Sequence, residues 1–208
     1  MASRPHGERR PAALTVFIFL IALTMAHRAP VVVAPYSCGW PGMFSSEYAV
    51  LSSLFPPLAF QIEHIGSTAI PGLPAKPIID IMLGAPSLCE VEAQIAGLAR
   101  LGYEYLPEHE QVMPERRFFA KPVIRPRLFH LHAVVFGETF WNEHLLFRDA
   151  LSNNPPLAAE YGSLKLSLAA QFGEDRDGYT NAKSSFITSV IRHAARKPGI
   201  ERVDQLGV

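Results

Sequence analysis

The chain is poor in cysteine, modest in charge and without any charge excess. Its two cysteines, Cys38 and Cys89, cannot build a disulfide framework. Neither sits at metal-ligand spacing, so both read as reduced, structural residues. Nineteen basic residues balance nineteen acidic ones. Proteins that neutralise duplex phosphates usually carry a basic excess, so duplex nucleic acid is disfavoured as a partner. Internal repeats and low-complexity tracts are also missing, which sets aside solenoids and disordered linkers. What remains is 49% hydrophobic and 18% charged over 208 residues, enough apolar side chain for one domain with a substantial core.

One apolar run stands apart from that core. MASRPHGERRP (1–11) is basic, AALTVFIFLIALTMA (12–26) is apolar, and small residues surround its end. The layout is that of a secretory signal, and the run is short for a stable membrane span. A second reading starts translation at Met25, which leaves MAHRAPVVVAPY. Residues 1–28 are therefore set aside as an extension, 29–196 as the domain, and 197–208 as a tail.

Periodicity then organises the domain. VVVAPY (31–36) reads as a strand. Phe44, Tyr48, Leu51 and Phe55 recur at helical spacing. FQIEHI (60–65) and PIIDIMLG (77–84) are strands, each stopped by glycine. Ser87 and Glu90 form a capping box before a helix with Leu88, Val91, Ile95 and Leu98 on one face. RRFFAKPV and RLFHLHAVVFG read as two further strands joined by a proline-containing turn. TFWNEHLLFRDAL is a helix with Thr139 as its cap, Asn154 precedes the Pro155-Pro156 opening of the next, and YTNAKSSFITSVIRHAARK is the last. The expected fold class is α+β, with a central mixed sheet and a helical C-terminal third.

Several residues on this frame could do chemistry. Side chains alternate along a strand, so Ile78, Asp80 and Met82 share one face. A carboxylate in an apolar strand must be paired, hydrogen-bonded or bound to a cation. Asp80 is therefore either a structural partner of a basic residue or a ligand. Met82 cannot bind Mg²⁺, which demands oxygen, so two carboxylates on this strand are not available. The loop IGSTAIPGLPAK carries Gly66, Ser67, Thr68 and Lys76, and backbone N–H groups in such loops can cradle phosphate. It matches neither a Walker A nor a dinucleotide pattern. His130 and His132 share a strand face and could bind metal, hold phosphate or move protons, or could be an unliganded pair. Arg116, Arg117, Lys121, Arg125 and Arg127 gather just upstream, where guanidinium forks suit phosphate oxygens. Tyr161/Lys165 and Tyr179/Lys183 are spaced to present a phenol and an ammonium together, or to pack tyrosine beneath a lysine that reaches water. Trp141 reads as core, and Arg148 as aimed at a cleft or paired with an acid.

Taken in order, VVVAPYSCGWPGMF, IEHIGSTAIPGLPAKPIIDI, FHLHAVVFG, WNEHLLFRDAL and YTNAKSSFI resemble the motifs of the GrpB family, over roughly residues 31–192. The resemblance implies a nucleotidyltransferase-like fold, in a domain also found fused to dephospho-CoA kinase. It matches Gly66 and Ser67 to a phosphate-holding Gly-Ser motif and Asp80 to the first acidic position, with Met82 in place of the second. It implies a divalent cation, Mg²⁺ or Mn²⁺, at Asp80, and an acid/base or ligand role for His132. The ligand implied is a nucleotide or phosphorylated small molecule, with Thr68, Lys76, Arg117, His130, Arg148, Lys165 and Lys183 as further binding residues. A nucleotidyl or phosphoryl transferase is one expectation. A non-catalytic ligand-binding module of the same fold is the other, and Met82 favours it. Family members begin shortly before the VVPY-like strand, which points to the Met25 start and a cytoplasmic protein, with export or tethering through 12–26 as the alternative.

Overall fold

The computed structural model describes residues 31–196. The signal-like run, the Met25 alternative and the 197–208 tail lie outside the described residues. Helix α1 (Trp40–Ser52) leads into β1 (Gln61–Ile65), a 3₁₀ turn (Ser67–Ala69) and β2 (Ile79–Ala85). Short helices α2 (Leu88–Glu92) and α3 (Ile95–Arg100) precede β3 (Glu104–Tyr105), β4 (Arg116–Lys121) and β5 (Phe129–Val135). The C-terminal third is helical: α4 (Thr139–Ser152), α5 (Pro155–Phe172), α6 (Arg176–Ala182) and α7 (Ser184–Ala194). The fold is α+β. Its five strands run in the order β1-β2-β5-β4-β3, with β2 and β5 parallel and the other neighbours antiparallel.

The pleat divides the sheet into two chemistries. Ile79, Ile81, Leu83, Leu131, Ala133 and Phe119 project to one side, where they pack with Leu51 of α1, Val91 of α2, Leu98 of α3 and Phe55. Glu47 of α1 is buried on that side and is held by Lys121 Nζ at 2.8 Å. On the other side Ile65, Met82 and Val134 are covered by Trp141 of α4. Helices α4, α5 and α7 close a second apolar cluster around Leu73, Leu151 and Tyr161. The polar residues of β2 and β5 lie on this second side, so the C-terminal helices face them across a cleft.

Some local expectations give way to tertiary packing. VVVAPY pairs only through an antiparallel bridge from Ala34 to Ala75, because Val31 is drawn off against Leu168 and Tyr179. The Ser87 side chain makes no cap bond, and the expected helix is broken into α2 and α3. Thr139 is the first helical residue, with Glu138 at the cap position. Asn154 does cap α5, its side chain accepting from Leu157 N–H at 3.2 Å. The last expected helix is two helices that meet at Lys183. Cys38 and Cys89 are free and exposed, so neither packs in the core. Among the described residues no helix is long and apolar enough to cross a membrane.

Candidate functional site

The start of β2 places Asp80 beside His130 of β5 and opposite Ile65 at the end of β1. The chain turns sharply after Ile65 because Gly66 adopts φ 71°, ψ −171°, a region almost confined to glycine. A Cβ there would lie 2.6 Å from Asp80 Oδ2, so the glycine also lets the loop backbone close on the carboxylate. The 3₁₀ turn that follows is pinned by Thr68, whose hydroxyl donates to the Ile78 carbonyl at 3.3 Å. Its oxygen then accepts from His64 Nε2 at 3.0 Å. Burial above all, with Arg148 adding to it and Asp80 opposing it, lowers His64 to about 4, so this ring is neutral near pH 7.

Around this turn lies a cavity of about 490 Å³. Gly66, Ser67, Asp80, His130 and His132 line its sheet side. Glu143, His144 and Phe147 of α4 line another wall, and Tyr161, Lys165, Tyr179 and Lys183 close it from the C-terminal helices, with Lys76 beside them. His130 Nδ1 is 3.2 Å from Asp80 Oδ1, and His132 Nε2 is 3.6 Å from the same oxygen. The second distance is too long for a hydrogen bond, and His132 Nε2 is buried without a partner. Burial raises the Asp80 carboxyl, but hydrogen bonding to His130 and the approach of His132 outweigh it and hold the group well below the ordinary carboxylate range. Burial lowers His132 to about 4, against the pull of Asp80.

The lysine end is of opposite character. Lys165 is buried, and its Nζ donates to the Pro74 carbonyl and lies 4.9 Å from the Tyr161 ring centroid. Lys183 and Lys76 sit 4.3 and 4.6 Å from the Tyr179 centroid. Neither Lys165 nor Lys183 makes an ion pair among the described residues. Burial, then the Lys183 charge, lowers Lys165 to about 7. Burial, then Lys76, lowers Lys183 to about 8, with Asp80 opposing. Tyr161 is pushed above the ordinary phenol range by burial, although a hydrogen bond with Ser67 works the other way.

Most residues singled out in the sequence therefore meet at one cavity: Gly66, Ser67, Thr68, Lys76, Asp80, His130, His132, Lys165 and Lys183. The Thr68 hydroxyl is committed to the fold. Two expectations are corrected. Arg117 lies on the far face of β4, held by Glu92 at 2.7 Å and Glu110 at 3.4 Å, because successive strand residues point to opposite sides. Its neighbour Arg116 faces the site instead, its Nη1 3.2 Å from His132 Nδ1. Arg148 is engaged by Glu63 at 2.6 Å, Asp149 at 2.8 Å and the His64 carbonyl at 3.1 Å, and does not line the cavity. His144 was missed. It stands three residues after Trp141 on the inward face of α4, and that spacing was the available signal.

Neither the Mg²⁺ nor the Mn²⁺ implied by the resemblance finds its preferred oxygen donor set here. Such ions take carboxylates, carbonyls and water, whereas Asp80 offers one carboxylate beside two imidazoles. Met82, one strand period away, is fully buried against Trp141 and offers no oxygen.

The model of the GrpB protein family matches residues 30–193. The chain is 35% identical over 169 residues to the glutamate-rich protein GrpB of Alkalihalophilus pseudofirmus, covering 79% of this chain and 96% of that protein. The crystal structure of conserved protein GrpB from Enterococcus faecalis superposes with a TM-score of 0.71 at 34% identity, over 78% of this chain and 96% of that one. Similarity also extends to a dephospho-CoA kinase of Mycolicibacterium paratuberculosis, 29% identical over an alignment of 195 residues that covers 80% of this chain and 46% of that protein.

Proposed function

The chain belongs to the GrpB family, and on that footing we propose that its cavity binds a nucleotide or another phosphorylated small molecule. The observation that carries the reading is the pair Lys165 and Lys183, both facing the cavity without a carboxylate partner. A cation taken from water without a counter-charge is costly, and a phosphate between the two would supply that charge. Ser67 lines the same cavity, and its hydroxyl with the Ser67 and Thr68 amides would add hydrogen bonds to the same anion. A similarity to dephospho-CoA kinase over part of that enzyme's length agrees with a phosphate-bearing ligand. The finer reading is transfer of a nucleotidyl or phosphoryl group, with Asp80 holding a cation or orienting the acceptor and His132 serving as ligand or acid/base. Binding without transfer is the second reading, and Met82 favours it because its place in the core leaves one carboxylate where two are needed. The cytoplasm, where nucleotides are plentiful, is the compartment that suits either reading.

A thermal-shift screen of nucleotides and CoA-related metabolites tests the ligand class, since a ligand selective for the folded state raises its melting temperature. Lys165→Met should weaken binding of sulfate, used as a phosphate surrogate, by about 10- to 100-fold, the worth of a charge-assisted hydrogen bond. Its melting temperature should stay level or rise, because an apolar chain replaces a buried, uncompensated charge. Unchanged affinity with a lower melting temperature would make Lys165 a structural residue.

The pH dependence follows from the same lysines. Sulfate keeps its double charge through the neutral range, so the protein alone titrates. Lys165 and Lys183 lose their protons as pH rises through about 7 and about 8. Binding favours their charged forms, so affinity should fall by about tenfold or more between about pH 6 and about pH 9. Calorimetric titrations across that range check it, and a flat profile would remove the lysines from the binding step.

A further inference from the structure

We infer that Asp80, His130 and His132 form a binding site for a borderline divalent metal ion of the Zn²⁺ class, whose remaining position opens on the cavity. The inference stands apart from phosphate binding, which depends on the lysine end and is measured separately. One ligand atom from each of Asp80, His130 and His132 lies within 4.8 Å of the other two. An ion about 2.1 Å from each atom of the two carboxylate–imidazole pairs, at their 3.2 and 3.6 Å separations, would subtend angles of about 100° and 118°, on either side of tetrahedral. Tetrahedral angles would put the two imidazole nitrogens about 3.4 Å apart, so from a separation of at most 4.8 Å they would close by no more than about 1.4 Å. Imidazole nitrogen with a single carboxylate is the donor set of Zn²⁺ and its neighbours, not of Mg²⁺.

Two further observations point the same way. His132 Nε2 is buried, aimed at Asp80 and unpartnered, which leaves a polar atom whose need an ion would meet. All three residues also line the cavity, so a bound ion would keep an open position towards a ligand, the hallmark of a reactive rather than a purely structural zinc site.

Arg116 sets the terms of loading. Its guanidinium has donors only, so the Nη1 contact makes His132 Nδ1 an acceptor and places the ring proton on Nε2, facing Asp80. Metal binding at Nε2 releases that proton or moves it to Nδ1, where it would meet a donor. Metal-bound histidines instead use the second nitrogen to donate to an acceptor. Arg116 therefore opposes the ion, and a side chain able to accept at that place should favour it.

The test uses the full chain with both exposed cysteines replaced by serine, so that thiolates do not contribute. Calorimetric titration with Zn²⁺ should show one ion per chain, and Co²⁺ should give the visible bands of a tetrahedral site. Mg²⁺ should give no binding at matched concentration. Asp80→Asn, which keeps the shape, and His132→Gln should each weaken Zn²⁺ by more than the roughly 10–100-fold that loss of an outer partner produces. Arg116→Gln, which touches no proposed ligand atom, should tighten Zn²⁺ by about tenfold. Circular dichroism confirms that each variant is folded. Zn²⁺ affinity unchanged in Asp80→Asn and His132→Gln, or equal or weaker in Arg116→Gln, would overturn the inference. Sulfate binding in the metal-free protein is unaffected by that failure, which keeps the two proposals distinguishable.

Discussion

Replacing Met82 with aspartate, the residue that would restore a second acid on β2, is expected to remove about 4 kcal/mol or more of folding stability. No gain in cation binding should accompany it. Met82 is fully buried and packs with Ile65, Val134 and Trp141. Truncating a buried methionine alone costs about 2–5 kcal/mol, and a polar group placed there without a partner adds to that. Small domains have a net stability of about 5–15 kcal/mol, so the variant would lose from about a quarter to most of it. Met82→Leu provides the comparison, because a volume-conserving exchange should lose less than about 1.5 kcal/mol. Urea unfolding of the three proteins measures both. A wild-type midpoint for Met82→Asp, with new binding of Mg²⁺, would show that the position is an open ligand place and not part of the core.

Gly66→Ala should be nearly as damaging, and it should damage the site as well as the fold. The backbone conformation at Gly66 costs a residue with a Cβ about 1–3 kcal/mol before any contact is counted. The added carbon would also meet Asp80 at 2.6 Å from Oδ2, 3.1 Å from Cβ and 3.2 Å from Cγ. Asp80 cannot simply withdraw, because His130 holds its other oxygen and β2 holds its backbone. We expect a total loss of about 3 kcal/mol or more, together with weakened sulfate binding as the loop moves off the carboxylate. Gly72 separates the two causes. It too has a positive φ, 78°, but nothing lies within 4 Å of its would-be Cβ. Gly72→Ala should therefore show the backbone strain alone, about 1–2 kcal/mol, and leave the ligand affinity in place. Equal losses for the two variants would mean that contact with Asp80 carries no weight.

Sequence by itself determined the elements and much of the site's membership. Period-two runs marked β1, β2, β4 and β5, and Asn154 before Pro155-Pro156 marked the start of α5. A carboxylate within PIIDIM, a Gly-Ser loop and a His-x-His strand stood out because each conflicts with its apolar or ordinary surroundings. Tyr161/Lys165 and Tyr179/Lys183 were visible as pairs, since helical spacing is a local property. Only the tertiary structure decided which faces meet. Arg116 and Arg117 are adjacent in sequence, yet one reaches His132 and the other is held by Glu92 on the opposite side of the sheet. That choice depends on which strands pair and on what covers each face, and no local window contains either. The same holds for the lysines. Their two tyrosine-lysine pairs lie on separate segments, and the break between α6 and α7 at Lys183, with the packing of α5 on the Leu73 loop, brings both to one cavity. Periodicity along a chain specifies what a segment can bury, whereas burial against distant segments specifies where its polar residues are left to act.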